Sequence, residues 1–284
     1  MVLKTAIIDP HVKLALREDI GSRDITSAAV LSKDLNIKAE IEARSPGVLC
    51  GIEIAERAFR LVDEKVRFLP TAKDGEGLEA GREVAYVEGS AVSILAAERT
   101  ALNYLCHLSG VATQTRRFVE KVAGTGVRIL DSRKTAPGLR LMEKYAVRTG
   151  GGTNQRTGLF DQALIKDNHL RILRNQSLSS IVERVRRAVL KKTIVGVEVE
   201  NLAEFREALK TSVDYILLDN FPTAEILEAV AMKKKIRSDV QLEVSGGVTL
   251  DNVAELARTG VDRISIGALT HSAPALDMAL EIVT

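Results

Sequence analysis

Four basic side chains between residues 133 and 166 stand beside apolar runs and could act together. They are Arg133, Lys134, Arg156 and Lys166. Cations that converge repel one another, so such a group is stable only beside carboxylates or an anionic ligand. The cluster therefore predicts a site for a small molecule with more than one negative charge. Glu198 and Asp219 stand at comparable positions, where carboxylates could bind a metal-associated sugar phosphate or stabilise a cationic sugar transition state.

Two glycine-containing loops near the end of the chain are a second chemical signal. SGGVTLDNV begins at Ser245, and SIGALTHSA follows some twenty residues later, each between a strand pattern and a helix pattern. Glycine lets backbone N–H groups approach an anion, and a helix N-terminus favours negative charge. A single Gly-Gly pair is usually only a turn. Two such loops on adjacent final strands predict a phosphate site, as in many α/β barrels.

Alternating strands and helices from about residue 127 must position these residues. Six apolar runs are typical of parallel strands that are buried on both faces. They cover residues 127–131, 163–167, 193–200, 214–219, 240–245 and 262–267. Asn201, with Glu204 three residues later, is a predicted helix N-cap. The alternation predicts a parallel α/β barrel, in which chemistry is built at the carboxyl ends of the strands.

The first hundred residues have a different, mixed α+β pattern. Residues 37–43 and 83–88 alternate apolar and polar side chains as half-buried strands do. Residues 92–108 predict a strong helix that Ser109-Gly110 interrupts. We therefore predict a domain boundary there, with an N-terminal domain over 1–109 and a barrel over 110–272.

Composition and charge argue against several functional classes. Forty Lys and Arg against 38 Asp and Glu give a net charge of +2, which does not suit a nucleic-acid coat or a polybasic membrane binder. Two cysteines without a CxxC pair predict neither a zinc site nor a disulfide framework. No apolar run approaches the ~18 residues of a membrane span, and the N-terminus reaches charged residues too early for a secretory signal. We expect a cytoplasmic protein without nucleic-acid or membrane partners.

Longer blocks of the sequence resemble a known family. The segment DSRKTAPGLRLMEKYAVRTGGGTNQRTGLFDQALIKDNH (131–169) closely resembles quinolinate phosphoribosyltransferases, also called carboxylating nicotinate-nucleotide pyrophosphorylases. The shorter blocks ERTALNYL, VEVEN, LLDN, SGG and GALTHS resemble the same family in the same order, so the likeness covers nearly the whole chain. It implies a pentosyltransferase of NAD biosynthesis. Such an enzyme joins quinolinate to phosphoribosyl pyrophosphate and yields nicotinate mononucleotide, pyrophosphate and CO2.

The resemblance also implies a fold and an assembly. The implied fold class is α/β, with an N-terminal α/β sandwich beside an incomplete, seven-stranded α/β (TIM-like) barrel. Residues 273–284 would pack back on the N-terminal domain. The family forms homodimers, or hexamers built from dimers, in which Arg99 of one subunit would bind quinolinate in the site of its neighbour.

The same resemblance implies residue roles. Arg133, Lys134, Arg156 and Lys166 would bind the two carboxylates of quinolinate, with Ser132 and Gln155 beside them. Lys166, Glu198 and Asp219 would be the catalytic residues. The two acids would face the ribose and Mg²⁺ of phosphoribosyl pyrophosphate, directly or through substrate and water. The residues around the phosphates would be Ser245, Gly246, Gly247, Gly267, Ala268 and His271.

One position departs from the family pattern and leaves more than one function open. The family usually has His within an Asn-His-Arg triplet, where this chain has Gln155. Glutamine donates a hydrogen bond but carries no charge near neutral pH. The pocket either works with one fewer potential cation or accepts another substrate. The related ModD-type proteins of molybdenum operons keep similar motifs, so a ModD-like pyrophosphorylase-related protein is an alternative. The same residues would also suit a Schiff-base barrel lyase that uses Lys166, or a non-catalytic sensor of the same ligands.

Overall fold

The computed structural model describes residues 3–32 and 34–283 and divides into two compact units. Unit 1 comprises the chain up to Arg116, the segment Ala136–Gly151, and the chain from Leu269 onward. Unit 2 comprises Arg117–Thr135 and Gly152–Ala268. Each unit is thus assembled from separate stretches of the sequence. The domain boundary between residues 109 and 110 stays a prediction.

Within the described residues, unit 1 contains a four-stranded antiparallel sheet and one small strand pair. The sheet strands are β1 (Asn36–Ala43), β3 (Arg67–Pro70), β5 (Arg82–Ser90) and β12 (Met278–Val283), and the pair is β2 (Gly47–Val48) with β4 (Gly77–Leu78). The order across the sheet is β12-β1-β5-β3. The two strands predicted from alternation are confirmed as β1 and β5, and the C-terminal strand pairs with β1.

Helix α4 is continuous, and the interruption predicted at Ser109-Gly110 is wrong. The described helices preceding β6 are α1 (Thr5–Ile20), α2 (Ile25–Val30), α3 (Ile52–Val62) and α4 (Ala91–Lys121). The Ser109 Oγ accepts a hydrogen bond from the Cys50 N–H at 2.9 Å. A Cβ at Gly110 would lie 2.1 Å from the Pro274 carbonyl oxygen. Glycine therefore permits a close chain approach inside this helix, at a cost of about 1 kcal/mol relative to alanine.

Unit 2 contains six parallel strands, and all six predicted strands are confirmed. They are β6 (Arg128–Leu130), β7 (Ala163–Ile165), β8 (Val195–Val199), β9 (Tyr215–Asp219), β10 (Gln241–Ser245) and β11 (Arg263–Ser265). Their order is β6-β11-β10-β9-β8-β7. Thr153 forms an isolated parallel bridge to Leu130 at the outer edge of β6. The mixed α/β fold class is confirmed, with antiparallel strands in one unit and parallel strands in the other.

Helices alternate with the parallel strands and complete the two units. They are α5 (Arg140–Thr149), α6 (Asp167–Ile172), α7 (Leu178–Ala188), α8 (Leu202–Leu209), α9 (Thr223–Ile236), α10 (Val253–Arg258) and α11 (Ala268–His271). The predicted N-cap of α8 is confirmed, since Asn201 Oδ1 accepts from the Glu204 N–H at 3.0 Å. Every residue of β8 is buried, including Glu198, and a carboxylate there is costly unless it is paired or used. Among the described helices, none has both the length and the apolar character that a membrane crossing requires.

Candidate active site

A cavity of about 220 Å³ lies at the carboxyl ends of the parallel strands of unit 2. Its lining residues are Ser132, Arg133, Lys134, Gln155, Arg156, Leu164, Lys166, Glu198, Leu217, Asp219, Ser245 and Ser265. Four of these side chains are basic and two are acidic, which leaves a formal charge of +2. The basic residues predicted to converge therefore do so. A dianion entering this cavity would meet a complementary charge.

A second cavity of about 410 Å³ adjoins the first and has a more apolar wall. The two share Arg133, Arg156, Leu164 and Lys166. Apolar side chains of the larger cavity include Leu159, Leu173, Ile181 and Val185. Three cations thus border both a polar and a partly apolar space. This combination suits an aromatic ring that carries carboxylates.

Lys166 and Glu198 form an ion pair across two adjacent strands. The Lys166 Nζ lies 2.8 Å from Glu198 Oε2, and the Glu198 side chain is only 10% exposed. Lys166 directly follows β7, and its backbone N–H donates to His169 Nδ1 at 2.9 Å. His169, in the first turn of α6, therefore helps to fix the backbone at the base of the lysine. Glu198 in turn holds the ammonium group.

Asp131 joins the two loops that carry the arginines. It is fully buried, and its carboxylate accepts from Asn154 Nδ2 at 2.6 Å and from the Gln155 N–H at 2.8 Å. Its own N–H donates to the Thr153 carbonyl at 3.2 Å. The loop after β6 is consequently tied to the segment of Gln155 and Arg156. Asp131 was not among the predicted site residues, although a carboxylate at the end of an apolar run is a usable signal.

A tight turn follows Arg156 and is closed by Asp161. The Asp161 carboxylate accepts from the backbone N–H groups of Thr157 at 2.7 Å and Gly158 at 3.0 Å. Partial burial acts to raise the pKa of Asp161, but the hydrogen bonds from Thr157 and Gly158 outweigh it and lower that pKa below its ordinary value. The charged form of this side chain therefore stabilises the turn beside the arginine.

The loop after β9 approaches Gly246 of the loop after β10 so closely that a side chain at Gly246 would clash with it. Asn220 has φ of 55°, and its N–H donates to the Ser245 carbonyl at 2.8 Å. Its Nδ2 donates to Asp219 Oδ2 at 3.1 Å, which orients that carboxylate. A Cβ at Gly246 would lie 2.1 Å from Asn220 Oδ1. The loops after β9 and β10 are thus packed directly against each other beside the cavity.

Family models match nearly the whole chain. The quinolinate phosphoribosyl transferase N-terminal domain matches residues 24–109, and the C-terminal domain of the same enzyme family matches residues 111–281. The chain belongs to the quinolinate phosphoribosyltransferase family. The structure supplies the charge and shape of the cavity at the strand ends, and the family match covers every element that lines it.

Individual relatives and solved structures agree with the family assignment. The chain is 40% identical to the carboxylating nicotinate-nucleotide pyrophosphorylase of Mycobacterium leprae, over 95% of both chains. It is 40% identical to a mitochondrial decarboxylating quinolinate phosphoribosyltransferase of Nicotiana tabacum, over 96% of this chain and 81% of that one. The nicotinate-nucleotide pyrophosphorylase structure of Ehrlichia chaffeensis superposes with a TM-score of 0.92 over the whole of both chains, at 38% identity. That of Francisella tularensis gives 0.92 at 36% identity, covering 99% of this chain and 98% of that one.

The remaining predicted site residues of this quinolinate phosphoribosyltransferase family member lie outside the residues that line the two cavities. Gly246, Gly247, Gly267 and Ala268 are in unit 2, on the loops after β10 and β11. Arg99 and His271 belong to unit 1, and both are exposed. Their roles stay predictions.

Several lining residues were not found by sequence reasoning. Leu164, Leu217 and Ser265 line the smaller cavity, while Gln162 and Arg184 line the larger one. The first three stand on the same strand faces as predicted residues, so a strict period of two along each strand would have found them. No sequence signal distinguishes Gln162 or Arg184 from an ordinary solvent-facing polar residue.

Proposed function

We propose that this member of the quinolinate phosphoribosyltransferase family transfers phosphoribosyl from phosphoribosyl pyrophosphate to quinolinate, giving nicotinate mononucleotide, pyrophosphate and CO2. The observation that carries the proposal is the convergence of Arg133, Arg156 and Lys166 on one cavity of net positive charge. Quinolinate is a planar aromatic ring with two carboxylates, so it fits both the charge and the partly apolar wall. Relatives at about 40% identity are named for this reaction.

The basic residues have the roles of binding and orienting both substrates. Arg133 and Arg156 present planar guanidinium groups that suit carboxylates, and Lys166 supplies a point charge held by Glu198. Lys134 is proposed to complete the quinolinate clamp, and the glycine-containing loops with Ser245, Gly246 and Gly247 are proposed to face the phosphates. Because no covalent enzyme intermediate is needed, orientation and electrostatics supply most of the rate.

The chemistry then proceeds in two steps. The ring nitrogen of quinolinate attacks the anomeric carbon as the bond to pyrophosphate breaks, with the electron pair leaving on pyrophosphate. Glu198 and Asp219 stabilise the oxocarbenium character of that transition state. The cationic pyridinium nitrogen next accepts the electron pair of the breaking C–CO2 bond, and the ring carbon takes a proton from solvent.

Mg²⁺ is proposed as a substrate-associated cation. Among the described residues, no group of three or more His, Cys, Asp or Glu side chains is arranged to hold a metal ion. Two carboxylates line the cavity, Asp219 and the Lys166-paired Glu198, and Mg²⁺ is commonly bound by one or two carboxylates together with substrate phosphates and water. These two residues fit that arrangement. The cation would neutralise charge on the pyrophosphate group.

The assembly and cellular setting extend the same proposal. We propose a homodimer, alone or as the building block of a hexamer, in which the exposed Arg99 completes the quinolinate site of the neighbouring subunit. His271 would contribute to phosphate binding. The balanced charge and the absence of a membrane-crossing helix among the described residues agree with a cytoplasmic enzyme of NAD biosynthesis.

The Schiff-base lyase is the weaker candidate for this site. Its nucleophile would have to be a neutral lysine amine, whereas the Lys166 Nζ is paired with Glu198 at 2.8 Å and is surrounded by arginines. A lysine that is paired with a carboxylate in this way is suited to binding an anion and not to attacking a carbonyl group. Borohydride trapping with a carbonyl substrate should therefore leave Lys166 unmodified.

A direct assay tests the proposal. Purified protein, quinolinate, phosphoribosyl pyrophosphate and Mg²⁺ are expected to release CO2 and form nicotinate mononucleotide in equal amounts. Nicotinate in place of quinolinate should give little product, because it lacks the second carboxylate, which is the group lost as CO2. Quantitative binding of both substrates without turnover would support the sensor instead. Equal turnover of nicotinate would contradict the dianion requirement.

A further inference from the structure

Three buried residues form an ionic layer inside the parallel strands that none of the proposed catalytic roles uses. This ionic layer consists of Glu243, Arg263 and Tyr215, which are 0%, 9% and 1% exposed. The Arg263 Nη2 lies 3.0 Å from Glu243 Oε2, and the Arg263 guanidinium lies 4.1 Å from the centre of the Tyr215 ring. Each residue is an even number of positions before a cavity residue of its own strand, so its side chain lies on the same strand face.

The ionic layer is not built for its own stability. Arg263 Nε and Nη2, Glu243 Oε2 and the Tyr215 hydroxyl are buried without a hydrogen bond of good geometry. A buried ion pair often stabilises a protein no better than apolar side chains of similar volume. Space is also made for it: a Cβ at Gly196 would lie 2.2 Å from the Tyr215 ring. A costly arrangement that is accommodated in this way points to a function.

Glu243 connects the ionic layer to the cavity through Gln155. Its Oε1 accepts a hydrogen bond from Gln155 Nε2 at 3.4 Å, which is long and therefore weak. Asp131 holds the backbone of Gln155, whereas Glu243 contacts the amide group of its side chain. An ionised carboxylate only accepts hydrogen bonds, and the amide nitrogen must therefore face it, with the amide oxygen turned away. A protonated carboxyl would permit either orientation of the amide.

Arg263 keeps that constraint in place. Burial raises the pKa of Glu243 above its ordinary value, and the positive charge of Arg263 is the largest of the effects that limit this rise. Without the guanidinium, a fully buried carboxylate tends to take up a proton. It would then lose its ability to select one orientation of the Gln155 amide.

We propose that Glu243, held by Arg263, is a positioning residue that fixes the Gln155 amide in the quinolinate-binding cavity. This inference rests on the proposed function. It identifies how the side chain of Gln155 is oriented in the cavity.

A double-mutant cycle tests the proposal. Glu243→Gln replaces a carboxylate, which only accepts hydrogen bonds, by an amide, which also donates them. The substitution should raise the KM for quinolinate about three- to tenfold, which corresponds to the loss of one hydrogen bond. The kcat and the KM for phosphoribosyl pyrophosphate should change by less than about twofold. Gln155→Ala should raise the same KM, and Glu243→Gln should add nothing in the Gln155→Ala background. Multiplicative effects, or an unchanged KM in Glu243→Gln, would overturn the proposal.

Controls separate positioning from stability. Because Glu243→Gln leaves Arg263 buried and unpaired, Glu243→Gln with Arg263→Met replaces both charges and should restore thermal stability. The raised KM for quinolinate should persist in this folded variant, and its return to the wild-type value would mean that only stability had changed. Glu228→Gln, which breaks an exposed pair with Arg206 in the same unit, should change neither KM.

The two proposals fail in different ways. Wild-type protein that does not turn over quinolinate would sink the proposed function. The same cycle measured as the Kd for quinolinate by calorimetry would still test the role of Glu243. A cycle without coupling in an active wild-type enzyme would sink the role of Glu243 alone.

Discussion

The ammonium group of Lys166 is held 2.8 Å from the carboxylate of Glu198, across the adjacent strands β7 and β8. The lysine side chain is 42% exposed and the glutamate side chain 10%, so one partner reaches into the cavity and the other anchors it. The ammonium group of Lys166 is therefore positioned by both strands together. The pair thus couples the cation proposed to bind quinolinate to the carboxylate proposed to face the ribose.

Lys166→Ala should reduce kcat/KM about 100-fold or more, because it removes a preorganised cation and leaves Glu198 without its partner. Steady-state assays with quinolinate and phosphoribosyl pyrophosphate measure the effect. Lys210→Ala is the matched control, since Lys210 pairs with Glu207 at an exposed position of the same unit. Wild-type activity in Lys166→Ala would remove this lysine from the mechanism.

Gln155→His should leave activity similar or raise it. An imidazole N–H can donate to Glu243 as the glutamine amide does, and a protonated ring would add one cation for the quinolinate carboxylates. The kcat and the KM for quinolinate, compared with wild type at several pH values, measure the outcome. A loss of more than about tenfold, a difference of 1.4 kcal/mol, would mean that the pocket is tuned for glutamine and for another acid.

The positions of the strands, and of the charged residues at their ends, were predictable from sequence. Continuous apolar runs identify buried parallel strands, and the geometry of such sheets puts Lys166, Glu198 and Asp219 at one end. Those inferences need only local patterns and one rule about where strand ends meet.

The contacts between distant positions were not predictable. Gly110 looks like a helix breaker by propensity, and only the approach of the Pro274 carbonyl gives its reason. Likewise, Glu243 and Arg263 read as isolated charges in apolar strands until their side chains are seen to pair. Such contacts depend on register and on side-chain direction across the interior, which a linear pattern does not carry.

Asp161→Asn should raise the KM for quinolinate about two- to fivefold, because the turn after Arg156 loses charged acceptors for the Thr157 and Gly158 N–H groups. Kinetics at neutral pH measure this, with the exposed Asp251→Asn as the control.

The folded-state pKa of Asp161 lies below its ordinary value of 3.8, so its contribution to stability is present above pH 3.8. That contribution is lost as the pH falls through the folded-state value. The stability difference between wild type and Asp161→Asn should shrink in acid, and a constant difference would contradict the role of the charge.

Gly246→Ala should destabilise the protein more than Gly247→Ala. Both residues have positive φ, 96° and 60°, so each substitution carries backbone strain of about 1–2 kcal/mol. Only at Gly246 would the new Cβ also meet Asn220 Oδ1, at 2.1 Å, whereas nothing lies within 4 Å of a Cβ at Gly247. Because Asn220 orients Asp219, Gly246→Ala should also raise the KM for phosphoribosyl pyrophosphate. Denaturant unfolding and steady-state kinetics of the two variants measure both effects, and equal destabilisation would show that the loop after β9 yields without cost.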